Sequence, residues 1–86
     1  MFADLIPLVK MKNGSQGRIE KIDGGEQFRR RLENLGIREG VLIKRDTSMS
    51  GKGPVVITIG KVQVGLGNGM ASKLYVRVQE RKGASR

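Results

Sequence analysis

The fold is decided by residues 14–37, which read GSQGRIEKIDGGEQFRRRLENLGI. Ile19 and Ile22 lie in a run that is typical of a β-strand, and the Asp-Gly-Gly triplet after Ile22 breaks that strand. Hydrophobic residues then recur at helical spacing, at Phe28, Leu32 and Leu35. The stretch therefore predicts a strand, a glycine turn and one short helix over residues 26–35. A single early helix in an otherwise β-rich small chain restricts the fold to few classes.

Both ends of this helix carry sequence signals. Asp23 lies three residues before Glu26, which is a helix-start signal, and Glu26 suits the positive N-terminal end of the helix dipole. Gly36 is expected to end the helix. If Gly36 takes the left-handed conformation, Ile37 folds back onto Leu32.

Residues 55–66 predict a β-hairpin, because apolar residues alternate along both arms around Gly60 and Lys61. Glycine at the first of the two turn positions favours a type II′ turn. That turn pairs Ile59 with Val62, Ile57 with Val64 and Val55 with Leu66. All six side chains then share one face of the sheet.

The remaining strands are shorter. Residues 2–9 predict an edge strand or a lead-in segment, because Pro7 cannot donate to a strand ladder. Residues 41–45 predict a strand whose alternation turns Leu42 and Lys44 away from the interior.

The sequence also predicts the last strand and the segments without regular structure. Residues 67–73 are too rich in glycine for a strand and predict a turn followed by one helical turn, with Met70 pointing inward. Residues 74–78 alternate as a final strand. Residues 46–54 predict a polar loop, and residues 80–86 a polar flexible tail.

Three segments together resemble a known family: GSQGRIEKIDGG (14–25), RRRLENLGIREGVLIKR (29–45) and GKVQVGLGNGMASKLYVRV (60–78). In order and spacing they resemble the ferrous iron transport protein A family, the FeoA-like domains, over residues 3–79. The resemblance implies an SH3-like barrel with a helix after an early strand. The small C-terminal SH3-like domains of iron-dependent repressors share this pattern.

We therefore expect a mainly β fold, a small SH3-like barrel of five to six short strands with one short α-helix. Short strands at this spacing also favour a small barrel. Residues 1–79 are expected to form a single domain, followed by the tail at 80–86. The predicted core comprises Ile19, Phe28, Leu32, Leu35, Ile43, Ile57, Ile59, Val62, Val64, Leu74 and Val76.

The composition limits the chemistry available to this chain. It has no cysteine and no histidine, so the thiolate and imidazole ligands of transition metals and the commonest general base are missing. The glycines of residues 65–69 lack the lysine and serine or threonine of a phosphate loop. No carboxylate spacing matches an EF-hand or a zincin helix, and helix capping explains Asp23 and Glu26 better than a weak hard-metal site does. We expect no enzyme activity, no cofactor and no metal-ligating residues, although the family resembled is described as transition-metal binding.

The net charge of +9, from 17 basic and 8 acidic residues, favours acidic partners. Only three aromatic residues are present, which disfavours a single-stranded nucleic acid as the partner. The longest apolar runs are far too short to span a bilayer, and the N-terminal residues lack the basic segment of a signal peptide. We expect a cytoplasmic protein without membrane insertion.

The resemblance implies a non-enzymatic accessory or regulatory protein of ferrous iron uptake. Its implied partner is the membrane iron transporter that carries a cytoplasmic GTP-binding domain. Strand alternation predicts a docking surface of outward apolar residues with a basic rim. Its members are Leu42, Val56, Tyr75, Arg29, Arg30, Lys44 and Arg77. Stoichiometry, oligomeric state and the effect on the partner stay open at this point.

Two other functions stay open from the sequence. The charge permits a basic SH3-like module that binds nucleic acid, which a salt-dependent interaction with RNA or DNA would reveal. The third option is a regulatory domain related to iron-dependent repressors, whose mark would be an upstream helical domain that reads DNA. The run Arg29, Arg30 and Arg31 predicts a solvated helix face in preference to an arginine that reaches a phosphate in a partner.

Overall fold

The computed structural model describes residues 5–46 and 53–79. Within these ranges the chain forms six strands, one three-residue 3-10 turn and two helices. The strands are β1 (Leu5–Pro7), β2 (Gln16–Ile22), β3 (Leu42–Arg45), β4 (Val55–Ile59), β5 (Val62–Leu66) and β6 (Leu74–Gln79). The helices are α1 (Glu26–Asn34) and the single turn α2 (Asn68–Ala71). The predicted tail and most of the predicted loop at 46–54 lie outside the described residues.

The six strands form one antiparallel sheet in the order β1-β6-β2-β3-β4-β5. Its inner face, together with α1, α2 and the 3-10 turn, encloses one hydrophobic core. The fully buried large side chains are Leu8, Met11, Ile19, Leu32, Ile37, Ile43, Val55, Ile57, Leu66, Leu74 and Val76. A mainly β fold with one helix after an early strand was predicted, and the structure confirms it.

The β4–β5 hairpin has the predicted register. Ile59 pairs with Val62, and the predicted pairs further along the two strands follow. Gly60 has a φ of +62°, and no residue other than glycine has a positive φ within the described ranges. A positive φ at only the first of the two central positions matches the expected type II′ turn.

The start of α1 corrects one prediction. The N-cap residue is Gly25, and no side chain caps the helix. Asp23 was expected to give the helix-start signal, but it lies two residues before the cap. Its backbone N–H donates to the carbonyl oxygen of Lys73 instead. Glu26 is the first helical residue, where its charge suits the helix dipole.

The end of α1 follows the expected glycine motif. Gly36 has a φ of +87° and donates its N–H to the Glu33 carbonyl, while Ile37 donates to the Leu32 carbonyl. This pattern is the Schellman motif, and it carries Ile37 into the core. Leu35 was predicted to lie in the core, which is wrong: it is the C-cap residue and is 39% exposed. Its neighbours from Glu33 to Gly36 are all exposed as well, so the core does not cover this end of the helix.

The other error in the predicted core lies at the hairpin tip. Val62 is 59% exposed, although it shares the face of the buried Ile57. It follows the turn on β5, an edge strand of the sheet, and only the deeper part of the hairpin covers the core. The predicted core residues Phe28, Ile59 and Val64 are partly buried against the core.

The N-terminal segment is held to the rest of the fold by strand pairing and by the side chain of Arg45. β1 is an edge strand that pairs with β6, as Pro7 indicated, and the 3-10 turn after it buries Leu8. The Arg45 Nη1 atom donates to the carbonyl oxygens of Leu8, Val9 and Met11, at 3.3, 3.0 and 2.6 Å. Charge-assisted hydrogen bonds of this kind are among the stronger ones in proteins. Arg45 therefore has a structural role that the sequence did not indicate.

Candidate functional site

The face of the sheet opposite the core, here called the outer face, presents most of the predicted docking residues. Strand register sets their order: Leu5 lies opposite Arg77, Arg77 opposite Arg18, and Arg18 opposite Leu42. These four residues form one row across β1, β6, β2 and β3. The two exposed leucines thus lie at the ends of the row and the two arginines lie between them. Neighbouring residues of the row are on adjacent strands, which are about 4.8 Å apart.

A second row runs beside the first. Gln79 lies opposite Gln16, Gln16 opposite Lys44, and Lys44 opposite Thr58. The predicted residues Lys44 and Arg77 therefore both lie on the outer face, in adjacent rows.

The apolar members of the predicted surface differ in exposure. Leu42 is 39% exposed, whereas Val56 and Tyr75 are half-buried. Tyr75 lies opposite Lys21, whose ammonium nitrogen is 5.6 Å from the centre of the tyrosine ring. This cation–π contact covers part of the ring. Val56 lies on β4, opposite Gly65 of the edge strand.

A groove of about 240 Å³ lies on this face between β2 and the β4–β5 hairpin. It is lined by Gln16, Leu42, Ile43, Lys44, Thr58 and Gly60. The Asp46 carboxylate lies next to it and accepts hydrogen bonds from the Thr58 hydroxyl, at 2.8 Å, and from the Gln63 amide, also at 2.8 Å. The Thr58 hydroxyl therefore donates its proton to Asp46 and has none left for a ligand in the groove. Lys44 supplies the positive charge in the groove lining.

One ion pair on the outer face shifts two pKa values. Arg77 binds both carboxylate oxygens of Glu20, at 2.7 and 3.0 Å. The hydrogen bonds from Arg77 lower the pKa of the Glu20 carboxyl, and the same contact raises the pKa of the Arg77 guanidinium. Both groups therefore stay charged over the physiological pH range.

The two predicted helix arginines lie on α1, apart from the strand rows, and both are engaged within the molecule. Arg29 donates to the Ile22 carbonyl at 3.1 Å and pairs with Glu39 at 3.1 Å. Arg30 pairs with Glu26 at 3.3 Å, one helical turn away. These contacts give Arg29 a local role in joining α1 to the sheet, and they do not favour an arginine that reaches out to a phosphate.

Gln16 and Arg18 are among the outer-face residues that sequence reasoning missed. Arg18 alternates with the buried Gly17 and Ile19, so the same alternation that placed Leu42 outside would also have placed Arg18 there. What the alternation could not show was that Arg18 lies opposite both Leu42 and Arg77.

Clusters of metal-binding side chains and membrane-spanning helices are both absent from the described ranges. Residues 5–46 and 53–79 contain no group of three or more acidic side chains placed to hold a metal ion. No helix in the same ranges has the length and apolar character needed to cross a membrane.

The family is settled by comparison with known proteins. The model of the FeoA domain matches residues 6–78, which is nearly the entire described chain. The chain belongs to the FeoA family. A relative from Methanocaldococcus jannaschii, named "Putative Fe(2+) transport protein A", is 32% identical over 76 residues, which cover 88% of this chain and 90% of the relative.

Solved structures of FeoA proteins have the same fold. An iron uptake regulatory protein (FeoA) is 33% identical and superposes with a TM-score of 0.79 over 88% of this chain and 99% of its own. FeoA from Stenotrophomonas maltophilia, solved with zinc and described as a prokaryotic SH3 domain protein, has a TM-score of 0.70 at 18% identity, over 86% of this chain and 95% of its own. The predicted SH3-like fold is thereby confirmed.

The fold is not confined to iron transport proteins. A manganese-dependent transcriptional repressor matches 92% of this FeoA-domain chain with 44% of its own length, at a TM-score of 0.78 and 19% identity. At this identity the likeness concerns the fold alone. FeoA proteins are small accessory domains of ferrous iron transport, and they are not a known enzyme family.

Proposed function

We propose that this protein is a non-enzymatic, cytoplasmic accessory protein of ferrous iron uptake, with residues 1–79 as its one folded domain. Its partner is the cytoplasmic, GTP-binding part of the membrane iron transporter. The observation that carries the proposal is the match of the FeoA domain to residues 6–78, supported by a relative named as an Fe(2+) transport protein over 88% of this chain.

The mechanism follows from binding alone. A small domain without catalytic groups acts on a transporter by binding one of its conformations better than another. The shift it produces is limited by the difference between its affinities for the two conformations. The protein thus regulates iron passage through its affinity for the partner, without a reaction of its own.

The outer face of the sheet supplies the docking surface in this proposal. It presents Leu42 next to Lys44 on β3, Arg77 two strands away with Arg18 between them, and Tyr75 and Val56 half-buried on the same side. Apolar area rimmed by positive charge suits an acidic protein surface, because steering charges raise the rate of encounter and the apolar contacts add affinity.

The test is calorimetry with the full chain and the purified cytoplasmic region of the transporter. The double variant Leu42→Ser with Tyr75→Ser is expected to weaken binding while circular dichroism shows an intact fold. The matched control is Leu35→Ser with Val62→Ser, which changes two apolar residues that are exposed elsewhere, at 39% and 59%.

Each outcome separates one part of the proposal. Binding by the wild type that neither double variant weakens would remove the outer face as the docking surface. A wild type that fails to bind the transporter region would overturn the proposed partner. A tighter, salt-dependent interaction with RNA or DNA would favour the nucleic-acid alternative, which rests on the net charge of +9.

A further inference from the structure

Four outward side chains on β2 and β3 lie at the corners of a small rectangle. Arg18 lies opposite Leu42, and two residues along, Gln16 lies opposite Lys44. The two cationic residues therefore occupy one diagonal, and the backbone positions of such diagonal neighbours are about 7–8 Å apart. Three of the four, all but Arg18, also line the groove on this face. We call these four residues the β2–β3 quartet.

The cations of the quartet are not neutralised by a carboxylate within the described residues. Arg29, Arg30 and Arg77 each pair with a glutamate, whereas Arg18 and Lys44 take part in none of these pairs. Among the described residues, the Arg18 side chain makes one hydrogen bond, from Nη1 to the Gly40 carbonyl at 3.0 Å. A guanidinium has five N–H donors, so this contact holds it at the turn before β3 and leaves several donors for a ligand.

The spacing along β3 suggests the form of that ligand. Leu42 and Lys44 are two residues apart on one face of a strand, which is about 6.6–6.8 Å. The same distance separates residues i and i+2 of any extended segment. A segment with an apolar residue at one position and an aspartate or glutamate two positions away matches both contacts at once.

We infer that the β2–β3 quartet is a binding site for an acidic side chain of an extended protein segment. The carboxylate pairs with Lys44, the apolar side chain two positions away packs on Leu42, and the Arg18 guanidinium, held at the Gly40 carbonyl, adds positive charge beside Leu42. The inference rests on the proposed function, because it names the chemistry that the partner offers to this face. Tyr75 has its ring partly covered by Lys21, so the face offers little open aromatic surface for base stacking, and a protein segment fits better than a nucleic acid.

The first experiment measures binding of the full chain to the transporter's cytoplasmic region. The double variant Arg18→Glu with Lys44→Glu is compared with Lys10→Glu and Arg31→Glu, two exposed cations elsewhere whose reversal changes the net charge equally. The quartet variant is expected to bind at least about tenfold more weakly, and the control close to wild type. An equal loss in both would show general charge attraction only, and no loss in the quartet variant would remove the site, while the proposed function would stand in either case.

The second experiment does not need the transporter. The isolated, isotope-labelled protein is titrated with the peptide acetyl-SESLSES-amide, with acetyl-SQSLSQS-amide as the uncharged control. In NMR spectra of the protein, we expect saturable changes in amide chemical shift that are centred on the quartet and are larger with the acidic peptide than with the control peptide. Shifts scattered over the surface, or shifts at the quartet with a short RNA but none with the acidic peptide, would overturn the inference. If the peptide binds here but the transporter region does not bind the protein, the proposed function fails and the site remains.

Discussion

Glu20 and Arg77 are joined across β2 and β6 by two hydrogen bonds, 2.7 Å from Nε to Oε2 and 3.0 Å from Nη2 to Oε1. A shift in strand register lies between Ile19 and Lys21, so Glu20 is the extra residue of a β-bulge. The bulge lets Glu20 face Arg77 while Ile19 and Ile22 both stay in the core. An irregularity of the backbone thus produces an ordered ion pair on the outer face.

This pair predicts how stability depends on pH. The pKa of Glu20 is lowered in the folded state, so the pair stabilises the fold fully above the ordinary glutamate pKa of about 4.3. That contribution is lost as the pH falls through the lowered pKa. Urea unfolding of the wild type and Glu20→Gln should show a stability difference at neutral pH that shrinks in acid. The difference is expected to be small, because the pair is exposed to solvent. A difference that grows in acid would contradict the assignment.

Gly17 predicts a site that does not tolerate a side chain. A Cβ atom at Gly17 would lie 2.5 Å from Val76 Cγ1 and 2.7 Å from the Arg77 carbonyl oxygen, because β2 and β6 approach closely there. Gly17→Ala is expected to cost about 1–3 kcal/mol of unfolding free energy. Gly65→Ala is the control, since nothing lies within 4 Å of its Cβ position, and it should be neutral or stabilise by up to about 1 kcal/mol. Equal effects in thermal unfolding would refute the close approach.

Leu32 and Leu35 make a matched pair on α1. Leu32 is fully buried, whereas Leu35 is 39% exposed at the C-cap. Leu32→Ala should cost roughly 2–5 kcal/mol through lost burial and a cavity, which lowers the Tm by about 8 °C or more in a domain of this size. Leu35→Ala should cost much less. Differential scanning calorimetry of both variants measures this difference in Tm. A Leu32→Ala protein with a near-wild-type Tm would contradict the packing of α1.

Metal binding by the isolated protein is predicted to be weak. The chain has no histidine or cysteine, and carboxylates bind zinc and ferrous iron poorly without them. Isothermal titration with Fe²⁺ under reducing conditions, and with Zn²⁺, should reveal no stoichiometric site of sub-micromolar affinity. Detection of such a site would show that backbone or carboxylate oxygens suffice in this FeoA protein.

The outcome for the hairpin and for α1 shows what local sequence can specify. The Gly60 turn sets the pairing of Ile59 with Val62, and that pairing sets the rest of the register, because each step along the strands follows from the first. Gly36 ends α1 because a left-handed residue breaks the helical pattern at that place. These features depend on neighbours within a few residues and were predictable.

The errors have the opposite origin. Periodicity placed Leu35 and Val62 on apolar faces, but their burial depends on what the rest of the chain brings against them. The helix ends before Leu35, and the core ends before Val62. Arg45 was invisible for the same reason, because its acceptors Leu8, Val9 and Met11 lie more than thirty positions away in the sequence.

The sequence alone determined most of the secondary structure, the family resemblance and the face on which most strand side chains lie, since all three follow from local spacing and residue type. Only the tertiary structure decided which outward side chains meet. Glu20 and Arg77 are 57 positions apart, and Arg18 reaches both Arg77 and Leu42 only because β2 lies between β6 and β3. Alternation gives the face of each residue, whereas the order and register of the strands give its neighbours, and a binding surface is made of neighbours.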